Sequence, residues 1–112
     1  MSWKLLLHVD GGGAELATAL RNAGNYANAQ PGAAMTLVLN GPAVELLRAG
    51  SCPQEADIAK LRGLGLRVLV CNNALKDRGM TPAQLIAGVE VVPAGIVELV
   101  RLQDEGYAYV KP

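Results

Sequence analysis

The sequence predicts an α/β fold, a three-layer α/β/α sandwich built on a mainly parallel five-stranded sheet in one domain spanning residues 1–112. Three observations carry that prediction. Short, nearly continuous apolar runs recur along the chain, stretches of helical periodicity separate them, and the core must be built without phenylalanine. Continuous apolar runs suit parallel strands covered on both faces, and strands alternating with helices suit a sheet enclosed between helix layers.

The runs fall at Trp3 to Val9, MTLVLN (35–40), LRVLV (66–70) and VEVV (89–92), and YAYV (107–110) alternates large and small residues as an edge strand does. Between the first two, Leu16, Leu20, Ala23 and Ala27 recur at helical spacing, with Glu15, Arg21, Asn22, Asn25 and Asn28 mostly off the stripe. That helix ends near Pro31 and Gly32. Pro42 opens a short second helix, PAVELLRAG, stopped by Gly50. Ser51 and Gln54 have capping-box spacing ahead of a helix that carries Ile58 and Leu61 inward. Thr81 and Gln84 repeat the spacing around Pro82, with Gly88 as the stop. A last helix starts at about Pro93, places Ile96, Leu99 and Val100 on one face, and stops at Gly106.

Ten basic and ten acidic residues leave a net charge of zero, which removes the electrostatic basis for a dedicated nucleic-acid or acidic-membrane binder. The opening MSWKLLLHVD is too short in apolar length for a signal peptide, and no run approaches the ~20 apolar residues of a membrane span. A cytoplasmic protein is expected. Two cysteines in a chain with a sizeable core do not make a secreted disulfide framework, so reduced thiols are expected.

Chemistry is sought beyond the carboxyl ends of the strands, where loops turn into helix starts. Cys71 ends its strand in VLVCNNALKDRG and precedes a helical turn, whose unpaired amides favour a thiolate able to attack a sulfane sulfur or another electrophile. The alternative is a small buried packing residue. Asn72 and Asn73 follow it and can stabilise an anionic sulfur. His8 ends the first strand and would reach Cys71 as a base or hydrogen-bond partner if strands one and three were neighbours. One histidine and two cysteines do not compose an ordinary zinc site, and no cofactor is expected. Gly11 and Gly12, in HVDGGGAEL, expose amides to a ligand, but the stretch is neither GxGxxG nor GxxxxGK[ST], and a tight strand-to-helix turn accounts for it equally. Cys52, beside Pro53, reads as a partly exposed loop thiol.

Several stretches together, HVD after the first strand, ALRNAGNYAN on the first helix, VLVCNNAL at the third strand and GVEVVPAGIVELVRLQDEGYAYVKP at the end, resemble the DsrE/DsrF-like family of small sulfur-trafficking proteins. The likeness covers almost the whole chain and is closest to a stand-alone, largely uncharacterised branch. The resemblance implies a homo-oligomer, trimer or hexamer, and a cysteine that carries persulfide sulfur between donor and acceptor proteins. The matching residue is Cys71. His8, Asn25 and Asn72 match the branch pattern, and Asn25 is carried as a substrate-binding candidate with Asn72, Asn73, Gly11 and Gly12. Two other readings remain open at this point: a small-molecule or nucleotide-binding module at the strand-end crevice, and a structural oligomer subunit using Tyr107 and Tyr109 as interface residues.

Overall fold

The computed structural model describes residues 3–112. Five strands, β1 (Lys4–Val9), β2 (Met35–Leu39), β3 (Leu66–Cys71), β4 (Glu90–Val92) and β5 (Tyr107–Val110), form one sheet. Their order is β4-β3-β2-β1-β5, and every pairing is parallel. Four α-helices connect them: α1 (Gly13–Ala29), α2 (Glu55–Gly63), α3 (Asn72–Asp77) and α4 (Gly95–Asp104).

The sheet order explains where the helices lie. From β1 to β4 the chain steps in one direction across the sheet, and from β4 to β5 it returns past β1 to the opposite edge. Right-handed crossovers then place the first connections on one face and the last on the other. Burial follows the same division. Leu5, Leu7 and Val9 of β1, Leu37 and Leu39 of β2, and Val68 and Val70 of β3 pack with Leu16 of α1, Ile58 of α2 and Leu75 of α3. The alternate residues Leu6, Val38 and Leu69 pack with Leu99 and Leu102 of α4 alone. Both faces being covered, the strands read as unbroken apolar runs.

Four local expectations are corrected. The stretch after β2 is a 3-10 helix, Gly41–Leu47, rather than an α-helix. Pro42 at its start removes an amide, and an isolated bridge between Arg48 and Leu85 draws the chain out of helical geometry just beyond its end. Ser51 does not cap α2. That helix begins at Glu55 with Gln54 at the cap position, because the chain first makes a turn in which the Glu55 amide donates to the Cys52 carbonyl. The Thr81–Gln84 arrangement does form, the Thr81 amide donating to Gln84 Oε1 at 2.9 Å, but it closes only one 3-10 turn, Pro82–Gln84.

The fourth correction concerns α4. Its buried residues are Gly95, Leu99 and Leu102, whereas Ile96 and Val100, expected on one face with Leu99, are each 62% exposed, with Val97 at 59%. Gly95 decides this rotation. A β-carbon there would stand 3.2 Å from Asn40 Cβ, 3.3 Å from Cys71 Cβ and 3.4 Å from Val38 Cγ1, so glycine lets the helix start this close to the sheet without displacing those neighbours. Replacing it with valine is expected to lift the start of α4 and lower the melting temperature, which thermal unfolding checks directly.

Candidate functional site

Cys71 is the last residue of β3 and the residue immediately before α3. After β3 the chain turns to the face that carries α3, and after the neighbouring β4 it turns to the face that carries α4. Adjacent strands whose continuations leave on opposite faces mark, at their carboxyl ends, the usual place for ligands in such sheets. Cys71 pairs with Val92 at that point, and the Asn73 amide donates to the Pro93 carbonyl at 3.3 Å, tying the two departing segments together. The thiol is free and 7% exposed. Its β-carbon lies against Gly95, the first residue of α4, so Cys71 stands beside the starts of two helices.

Asn72 and Asn73 form the first turn of α3, the former half-buried and the latter exposed. His8 is 9% exposed and does not neighbour Cys71 in the sheet, because β2 lies between β1 and β3. The condition under which it would reach the cysteine directly is therefore not met. Its ring instead bridges two other residues: Nδ1 meets the Tyr109 hydroxyl at 2.7 Å and Nε2 meets Asn40 Oδ1 at 2.8 Å. Asn40 lies nearer to the cysteine, since a β-carbon on Gly95 would stand 3.2 Å from the β-carbon of Asn40 and 3.3 Å from that of Cys71.

Sequence reasoning placed Asn40 at a strand end and Tyr109 on the last strand without connecting either to His8. Tyr109 is 101 residues from the histidine, and only the β1–β5 pairing brings them together.

The glycine turn is partly filled from within the chain. Glu15 Oε1 accepts from the Asp10 amide at 2.8 Å and from the Gly11 amide at 2.9 Å, and the Gly12 carbonyl accepts from the Glu15 and Leu16 amides of α1. Lys111 bridges Glu15 and Asp10, holding the carboxyl-terminal end of the described chain against the turn. The Lys111 hydrogen bond, together with the two backbone amides, holds the Glu15 carboxyl below its ordinary value, against the opposing effect of burial. A carboxylate whose pKa is lower folded than unfolded stabilises the fold above its unfolded value near 4.5 and loses that contribution as pH falls below it. Glu15→Gln is accordingly expected to melt below the native protein at pH 7, with the difference shrinking at pH 3 in a pair of thermal melts.

Asn25 lies twelve residues along α1 from its start, about 18 Å down the helix axis, and is exposed toward the opposite end of the sheet from Cys71. Cys52 is half-buried in the turn before α2, and burial pushes its thiol pKa up. Among the described residues no group of three or more His, Cys, Asp or Glu side chains is placed to hold a metal ion.

A family model described as the DsrE/DsrF-like family matches residues 8–112. The chain belongs to that family. DsrE/DsrF-like proteins are associated with sulfur relay. Among solved structures, the protein of unknown function MTH1491 from Methanobacterium thermoautotrophicum is similar over 99% of this chain and all of its own, at 29% identity and a TM-score of 0.91. The ychN protein from E. coli is 22% identical with a TM-score of 0.85, covering 98% of this chain and 99% of its own. BT1422 from Bacteroides thetaiotaomicron, also of unknown function, is 18% identical with a TM-score of 0.76, covering 97% and 94%. The last two share the DsrE-like fold. No curated protein matches the chain.

Proposed function

We propose that this DsrE/DsrF-like protein is a cytoplasmic sulfur carrier in which Cys71 accepts, holds and passes on a sulfane sulfur. The observation that carries the reading is the place of Cys71 at the carboxyl end of β3, where β3 and β4 send their continuations to opposite faces, beside the starts of α3 and α4. Amides at helix starts are unpaired and favour negative charge, as a thiolate and a persulfide both require.

The transfer balances without an outside oxidant. The Cys71 thiolate attacks the outer sulfur of a donor persulfide, the donor's S–S bond breaks, and the donor leaves as a thiolate that takes up a proton. Cys71 then carries the S–S bond. An acceptor thiolate attacks the outer sulfur, breaks that bond and regenerates the Cys71 thiolate. Asn72 and Asn73 follow Cys71 directly, and with the Asn73 amide committed to the Pro93 carbonyl their side chains are the groups they can offer the sulfur.

Assembly into a homo-oligomer belongs to the same reading. Ile96, Val97 and Val100 form an exposed apolar stripe on α4, and β5 is an edge strand with Tyr109 and Val110 exposed. A chain of zero net charge meets no overall repulsion from its own copies. Among the described residues no helix is long and apolar enough to cross a membrane, so this stripe has no spanning role to fill.

The binding-module alternative is weaker at the glycine turn, where the Glu15 carboxylate already holds the Asp10 and Gly11 amides and brings a negative charge. The experiment compares single variants after incubation with a persulfide donor. Cys71→Ser is expected to lose all cyanide-releasable sulfur while melting close to the native temperature, and Cys52→Ser is expected to load as the native protein does. Retention of sulfur by Cys71→Ser would overturn the assignment.

A further inference from the structure

Asn40 precedes the 3-10 helix Gly41–Leu47 at the position where asparagine ordinarily caps the first amides, yet its side chain makes no capping bond. The carboxamide turns instead to His8, with Oδ1 2.8 Å from Nε2. A carbonyl oxygen only accepts, so the histidine presents Nε2–H to it, and in the neutral ring Nδ1 is left to accept the Tyr109 hydroxyl at 2.7 Å. The chain of bonds has one direction, from the tyrosine through the histidine to the asparagine. It leaves the two N–H groups of Asn40 Nδ2 without a partner among the described residues. Asn40 is half-buried, and its β-carbon shares the Gly95 contact with the β-carbon of Cys71.

We infer that Asn40 is the sulfur-binding donor of this site, its amide nitrogen donating to the anionic outer sulfur on Cys71, with His8 and Tyr109 as residues that position it. This rests on the carrier reading of Cys71 and adds a group outside the Cys71–Asn73 stretch. Forgoing a cap worth about 1 kcal/mol makes sense where the side chain is needed elsewhere. A hydrogen bond to a charged acceptor is worth more than one between neutral groups, so the donor stabilises the persulfide over the thiol that precedes it.

The test measures how sulfur partitions between Cys71 and glutathione persulfide, read by mass spectrometry in a Cys52→Ser background. Asn40→Ala is expected to retain sulfur about tenfold less well. Asn40→Asp keeps the shape and the acceptor to His8 but replaces the donor by a negative charge, and is expected to retain still less. A purely structural asparagine predicts the reverse order, because aspartate is the closer replacement. Tyr109→Phe, which removes one hydroxyl from a residue that is 41% exposed, is expected to fall between Asn40→Ala and the parent. Should Asn40→Ala fail to fold, Asn40→Asp and Tyr109→Phe decide. Loading by Asn40→Asp equal to the parent overturns the inference while leaving the carrier reading intact, and full retention by Tyr109→Phe overturns the positioning role of the tyrosine. A parent protein that takes up no sulfur overturns both readings.

Discussion

Under the proposed assembly through α4, combining Ile96→Glu with Val100→Glu is expected to yield monomers without unfolding the chain. The two side chains are each 62% exposed and lie one turn apart on the outer face of α4, so they contribute little to the core of a single chain. In an interface the same positions are removed from water, where two new carboxylates per chain are strongly unfavourable. Glu98 and Glu105, already paired with Arg101 on this helix, leave no free arginine there to neutralise them. Light scattering reads the mass of native and variant proteins, and circular dichroism confirms that the variant is folded. A native protein that is already a monomer would remove the stripe's assigned role.

The second large effect is expected from Leu102→Ala. The face of the sheet under α4 is held by a small cluster, Leu6, Val38, Leu69, Leu99 and Leu102, with Val92 and Tyr107 against its edge. Leu102 is 1% exposed, so its truncation leaves a cavity that one helix alone cannot easily collapse. The cost is about 2–5 kcal/mol, a large share of the ~5–15 kcal/mol that stabilises an ordinary domain. Denaturant unfolding is expected to show a lower midpoint with the slope preserved. Because α4 also supplies Gly95 beside Cys71, the variant is further expected to expose the thiol and raise its alkylation rate. A midpoint within the error of the native protein would mean that α4 contributes little to the fold.

The contrast between strands and helices shows where the sequence is informative. The inner strands β1 and β2, and β3 apart from Arg67, lie on both sides in apolar surroundings, so their residues form runs whose position does not depend on any other part of the chain. On α4, Ile96, Val97, Leu99, Val100 and Leu102 are all apolar, and periodicity alone allows more than one inward face. The close approach at Gly95 selects Leu99 and Leu102. Pro42 and Pro53 acted as local breaks whose consequence, a 3-10 helix in one case and a delayed helix start in the other, exceeded what capping patterns convey.

The candidate site divides in the same way. Cys71, Asn72 and Asn73 are contiguous, so a strand-end rule finds them together. The partners of His8 depend on strand order, and a single sequence carries no signal for β2 lying between β1 and β3 or for β5 joining β1. A polar residue at the end of a buried strand, as Asn40 is, was the available clue. Glu15 offers the opposite lesson, since the glycine turn suggests an open set of amides, two of which, those of Asp10 and Gly11, the chain's own carboxylate takes.

The most direct test of the account is the intact mass of the native protein after incubation with a persulfide donor, followed by peptide mapping. One added sulfur atom per chain, located on the peptide that contains Cys71 and removed by an acceptor thiol, is the predicted result. An unchanged mass, or sulfur found only on Cys52, would contradict it.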